Sequence, residues 1–236
     1  PQFLERMVPK PEYVMGYDVR SDDWKYCRDN ERPTWLLYHT DPVEGVPATT
    51  YDAEARRAKW SETTSTEEPA FSVAEYLRHG LIEHPTLSTR STVHRREPWY
   101  RVERGEIAPI LIAPMSRSGF RFLLNETDAR HLNSYYGVYP DTEISQAGQK
   151  AMLAYLNSTF VNQIIAQEQH TLSGGLKKLE PGDVKDIPTI DPRELHGTIV
   201  STLADAFDDL RAAARHGGDE QLIINRIDSV LEREFL

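Results

Sequence analysis

Cysteine is nearly missing: Cys27 is the only one in 236 residues. A disulfide framework and a cysteine zinc site within the chain are both excluded, and a reducing, cytoplasmic setting is expected. Lysine is scarce too, with seven residues against 20 arginines. No apolar run approaches the roughly 18 residues that cross a bilayer, and no basic segment followed by an apolar one opens the chain, so neither membrane nor secretion is indicated. The chain starts Pro-Gln-Phe without an initiator methionine, as a piece of a longer protein would. Catalytic signatures are missing as well. There is no G-x-G-x-x-G after a strand, no Walker-type glycine loop, no G-x-S-x-G elbow and no H-E-x-x-H pair. The eight histidines are scattered with no i, i+4 pair, so each reads as a surface or lightly buried residue and no metal is expected. Carboxylates are too numerous for any pair to stand out. The chain alone is not expected to be an enzyme.

What is present is a folded composition, 39% hydrophobic and 9% aromatic, in a length that suits one large domain or two small ones. The charge is acidic, 37 Asp and Glu against 27 Lys and Arg, for a net −10. DNA-binding modules are usually basic, so the bulk charge argues against nucleic acid. An acidic, lysine-poor surface is also what a salt-loving (halophilic) organism produces. The distribution of charge therefore matters more than its sum.

Along the chain, Trp35 to Tyr38 reads as a short strand, and "SETTSTEEP" (61–69) as a polar loop. "FSVAEYLRHGL" (71–81) reads as a helix capped by Ser72, boxed by Glu75 and stopped by Gly80. The apolar run 107–113, limited by Pro109 and Pro114, pairs with "FRFLLN" (120–125) in an antiparallel hairpin. One helix is expected over 145–169, with Leu153, Leu156, Phe160 and Ile164 as its stripe. The tail predicts two helices, 196–215 and 219–235, joined at Gly217-Gly218 with Asp219 as cap. The fold class is α+β: a small, mostly antiparallel sheet around 90–125, flanking helices and a C-terminal helical hairpin.

Two segments concentrate cations. Residues 90–124 hold seven arginines and three glutamates, a charge of +4 in an acidic chain. The arginines are interleaved with Trp99, Tyr100, Phe120 and Phe122. Guanidinium forks match phosphate and the guanine edge, and aromatics stack on exposed bases. Surface pairing with the acidic remainder is the plainer reading of the same arginines. "SGGLKK" (173–178) is the second segment. Gly174-Gly175 would either form an anion-holding nest beside Lys177 and Lys178 or end the preceding helix as a glycine cap.

The ordered set "REPWYRV" (96–102), "APILIAPMSRSGFRFLLNE" (108–126), "NSYYGVYP" (133–140), "AYLNSTFVNQII" (154–165) and "SGGLKKLEPGDVKDIPTI" (173–190) resembles the C-terminal target-recognition region of adenine-specific (N6) DNA methyltransferases of restriction–modification systems. The resemblance covers about 96–190. It implies a parent enzyme that uses S-adenosylmethionine in another domain, where an Asn/Asp-Pro-Pro-Tyr/Phe motif acts. No such motif occurs here, and no cofactor is expected in this chain. Double-stranded DNA and the catalytic domain of the same protein are the implied partners. Backbone contact is expected from Gly174, Gly175, Lys177 and Lys178. Positioning or base contact is expected from Arg95, Arg96, Trp99, Tyr100, Arg117 and Arg121, with Arg101 and Arg104 nearby. Trp99 and Tyr100 serve equally as core residues. Asn125 reads as a strand-end cap or as an adenine contact. The division that follows is 1–70 of unclear role, 71–195 DNA recognition and 196–236 helical hairpin. A competing class is an assembly module built on the tail helices, and a third is a metal-dependent nuclease.

Overall fold

The two prolines that limit the apolar run 107–113 also bound the strand that forms, Ile110–Ile112. In the computed structural model, which describes residues 3–53, 56–57, 72–87, 89–102 and 105–235, this strand (β4) lies in a four-stranded sheet. The other strands are Asp18–Val19 (β2), Phe122–Asn125 (β6) and Tyr136–Val138 (β7), in the order β2-β6-β4-β7. Leu111 opposes Leu123 in the antiparallel hairpin, as the sequence predicts, while β2 joins β6 in parallel. The central strands β4 and β6 are apolar from Ile110 to Ile112 and from Phe122 to Leu124 because both sheet faces are buried. Ile110, Ile112, Phe122 and Leu124 face one core, and Leu111, Leu123 and Val19 face another with Trp24 and Tyr135. The sheet is thus built from 18–19 and 110–138. Residues 91–94 are a helical turn, not part of it.

The chain divides into two compact units, residues 1–5 with 36–104, and residues 6–35 with 105–236. Its boundaries differ from the divisions expected at 70 and 195. Strands Leu4–Arg6 (β1) and Trp35–Leu37 (β3) lie where the units divide. In the first unit, Ser72 and Glu75 form the expected capping box on helix Val73–Glu83. Gly80 does not stop that helix, which runs on to the residue pair before Pro85. Its φ is not positive, so it sits as an ordinary interior residue, and the proline ends the helix instead. The loop expected at 61–69 falls outside the described residues.

The second unit packs helices on one sheet face. Two come from the tail, Gly197–His216 and Glu220–Phe235. Gly217 ends the first with a left-handed backbone, and the Asp219 carboxylate accepts from Leu222 N–H at 3.0 Å to cap the second. Leu203, Phe207, Leu210, Ile227 and Leu231 are all buried in the core. These five stripe residues are therefore spent inside the unit, while Leu222 of the second helix is 66% exposed.

The helix expected over 145–169 is two helices, Gln146–Leu156 and Thr159–Glu168. Asn157 breaks it. Its side-chain amide donates to Phe122 C=O at 3.0 Å and to Leu153 C=O at 2.8 Å, and its carbonyl oxygen accepts from Phe122 N–H at 3.0 Å. Further along the same edge of β6, Tyr17 C=O and Val19 C=O accept from Leu124 and Glu126 N–H. The Asn157 carboxamide stands in for a peptide unit ahead of the start of β2, so the N–H and C=O of Phe122 are both satisfied there. Ser158 then caps the second helix by accepting from Val161 N–H. The turn shifts the buried face by one residue, so Val161 and Ile165 are buried where the continuous stripe predicted Phe160 and Ile164.

A charge network ties the tail to the sheet. The fully buried Asp18 carboxylate accepts from Arg20 Nε and Arg211 Nε, each at 2.7 Å, and from Arg215 Nε at 2.6 Å. Arg215 also forks onto Asp23, at 2.9 and 2.7 Å. Arg211 reaches Glu126 and Asp208, and Asp208 accepts from Lys150 at 2.6 Å. Burial opposes the ionisation of Asp208, but the hydrogen bonds from Lys150 and Arg211 outweigh it and hold its pKa below the ordinary value.

Candidate nucleic-acid interface

Lys10 sits between Pro9 and Pro11 in a segment that two hydrogen bonds pin to the second unit. Val8 N–H donates to Arg130 C=O at 2.9 Å, and the buried Tyr135 hydroxyl donates to Pro9 C=O at 2.9 Å. The flanking proline rings fix φ on either side, so Lys10 is presented on a stiff segment. It lines a cleft of about 450 Å³ with Glu12, Met115, Arg117, Asn133 and Leu176. A second cleft of about 130 Å³ shares Pro11, Met115 and Ser116 with the first and extends to Ser118, Gly119 and Arg121. The loop between these walls is stapled by Ser116, whose hydroxyl donates to Gly119 C=O and accepts from Ser118 N–H. Arg117 and Arg121 are both exposed. The Arg121 guanidinium lies 5.6 Å over the Tyr17 ring, and the Tyr17 hydroxyl is itself anchored on Glu220 at 2.9 Å.

The Gly-Gly segment is not a cap on the preceding helix. The helix before it ends at Gln169. Strands His170–Thr171 (β8) and Lys177–Lys178 (β9) pair antiparallel, and Met115–Ser116 (β5) completes a three-stranded ribbon in the order β5-β9-β8. Gly174 and Gly175 form the tip, both at positive φ, 74° and 72°, a backbone that L side chains adopt only with strain. The two lysines are successive strand residues and so point to opposite faces. Lys178 pairs with Glu180, whose hydrogen bond and charge raise the ammonium pKa above its ordinary value.

The predicted residues thus separate. Arg117, Arg121, Gly174, Gly175, Lys177 and Lys178 belong to the second unit, and Arg95, Arg96, Trp99 and Tyr100 to the first. Arg95 is exposed and Arg96 half-buried after the short helix Ser91–His94. Trp99 and Tyr100 are corrected to core residues, 4% and 8% exposed, packed with Val46, Leu77 and Leu81. The Tyr100 hydroxyl accepts from Val43 N–H at 2.8 Å and donates to Asp41 C=O at 3.2 Å. Neither ring has the open face that base stacking needs. Arg101 is exposed, and Arg104 lies outside the described residues. Asn125 is the strand-end cap: its amide donates to Ala108 and Ala129 C=O at 3.0 and 3.2 Å, and its oxygen accepts from Thr127. No capacity is left for an adenine edge. Lys10 and Asn133 were not singled out by sequence reasoning, and the Pro-Lys-Pro stretch was the available signal for the first.

Pairing separates the cations further. Arg6, Arg20, Lys25, Arg28, Lys150, Lys178, Arg193, Arg211, Arg215 and Arg226 all hold carboxylates. Lys10, Arg117, Arg121 and Lys177 hold none among the described residues. Among those residues there is also no group of three or more potential metal ligands, and no helix is long and apolar enough to cross a membrane.

The family model described as the C-terminal domain of Type II methyltransferase M.Eco57I matches residues 1–231. Type II methyltransferase M.AccI of Acinetobacter calcoaceticus is 26% identical over 165 residues, which is 70% of this chain and 30% of that protein. Type II methyltransferase M.XamI of Xanthomonas campestris pv. amaranthicola is 33% identical over 103 residues, 44% of this chain and 19% of that protein. The matched region spans less than a third of either relative.

Proposed function

The chain belongs to the family of Type II methyltransferase C-terminal domains of the M.Eco57I kind, and from that premise we propose that it is the part of an adenine-specific DNA methyltransferase that reads the DNA target. Methyl transfer and S-adenosylmethionine belong, in this reading, to a catalytic domain elsewhere in the parent protein. The observation that carries the reading is the set of unpaired cations. In a chain with ten more acidic than basic residues, carboxylates are available to neutralise every surface cation. Lys10 and Arg117 nevertheless line one cleft without a partner, and Arg121 lines the next. A polyanion supplies the missing partner. Phosphate contact from these side chains fixes the register of the protein on the duplex, and each contact releases counterions.

Fluorescence anisotropy with mixed-sequence duplex DNA tests this. Arg117→Ala with Arg121→Ala is expected to weaken binding by at least about tenfold at low salt and to flatten the salt dependence by about two phosphate equivalents. Arg193→Ala is the matched control. That side chain is equally surface-borne but is already held by Asp141 and Asp191 at 3.0 and 2.7 Å, so its loss leaves affinity unchanged. Equal losses in the two variants would refute the assignment.

A further inference from the structure

The ribbon His170–Lys178 has two unlike faces. Directly opposed residues of an antiparallel pair share a face, so Thr171, Lys177 and Ser116 form one row, and His170, Lys178 and Met115 the other. The second row is electrostatically closed. Lys178 pairs with Glu180, and His170 lies 4.0 Å from Asp183. The first row is open. Thr171 and Lys177 have no side-chain hydrogen bond and no carboxylate among the described residues, while the Ser116 hydroxyl is committed to its own loop. The tip is also thin and unobstructed. Residues 171–175 are all exposed, and a Cβ placed on Gly174 or Gly175 meets nothing within 4 Å.

Given the DNA-reading function proposed above, on which this rests, we infer that the hairpin enters the major groove of duplex DNA tip first, with Thr171 and Lys177 facing the base edges. Beyond β5 the hairpin narrows to two strands about 4.8 Å apart, which with their side chains suit a groove about 12 Å wide and not one about 6 Å wide. The Lys177 ammonium donates to the O6 and N7 acceptors of guanine, and the Thr171 hydroxyl donates or accepts according to the base it meets. The paired Lys178 stays on the protein side of the ribbon.

Duplexes retained by the 236-residue chain from a random-sequence pool are probed with dimethyl sulfate, which methylates guanine N7 in the major groove and adenine N3 in the minor groove. The bound chain is expected to protect guanine N7. Lys177→Ala and Thr171→Ala lose that protection and bind at least about tenfold more weakly, whereas Lys178→Ala keeps the protection pattern. Protection limited to adenine N3, no protection of either atom on bound DNA, or full guanine protection by Lys177→Ala overturns the inference and leaves the DNA-reading function standing. Failure of the wild-type chain to retain any duplex overturns both. Unchanged thermal midpoints establish that the variants are folded, and Lys177→Gln replaces the alanine variant if that one does not fold.

Discussion

Asp18→Ala lowers the unfolding free energy by about 3 kcal/mol. The carboxylate is fully buried and accepts from three arginines, two of them on the helix Gly197–His216. Removing one partner of a buried ion pair typically costs 3–5 kcal/mol, because the remaining charge stays desolvated and unpaired. Arg211 retains Glu126 and Asp208, and Arg215 retains Asp23, which puts the expectation at the lower end of that range. Arg20 is partly exposed and keeps Glu126 at 3.7 Å. Urea unfolding followed by tryptophan fluorescence measures the effect, with an unchanged denaturant slope expected. Asp18→Asn preserves the shape and one acceptor but not the charge, and falls between. A loss below about 1 kcal/mol would mean that the tail is held to the sheet by apolar packing alone.

Asn157→Ala costs a similar amount for a different reason. The side chain is 2% exposed and satisfies both the N–H and the C=O of Phe122, itself buried. Truncation leaves two backbone groups desolvated and unpartnered, at about 1–3 kcal/mol each before relaxation. A loss of about 3 kcal/mol is expected in the same unfolding experiment. Asn157→Asp is diagnostic as well. It keeps an acceptor for Phe122 N–H but sets a carboxylate against Phe122 C=O, so it should be at least as damaging as alanine. Asn157→Asp as stable as the wild type would show that the clip to β6 is incidental.

These two positions mark the boundary of what the sequence discloses. Local signals are read correctly where local chemistry decides the outcome. The Ser72 and Glu75 box, the Asp219 cap and the strand between Pro109 and Pro114 all form as their residues predict. The break at Asn157 is not local, because its reason lies on a strand 35 residues earlier. Asp18 and Arg215 are separated by 197 positions, and no spacing rule connects them. At the candidate interface, charge counting located Arg117, Arg121 and the two lysines. It could not tell an arginine that is free from one that is neutralised by Asp or Glu, nor place Trp99 and Tyr100 in a core. Lys10 escaped notice because its cleft is assembled from segments near residues 10, 117, 133 and 176. The alternation of a strand, which sends Lys177 and Lys178 to opposite faces, became readable only once the Gly-Gly turn proved to be a hairpin tip.

The central claim is that the unpaired cations of the second unit meet DNA phosphates, and the salt dependence of duplex binding tests it most directly. The slope of log affinity against log salt is set by the number of phosphates neutralised, at about 0.9 per contact. With Lys10, Arg117 and Arg121 on phosphates and Lys177 on the base edges, the wild-type chain should give a slope of about −3, and the combined Lys10→Ala, Arg117→Ala and Arg121→Ala variant a slope near zero. A wild-type slope near zero, or a slope that the three substitutions leave unchanged, would contradict the account.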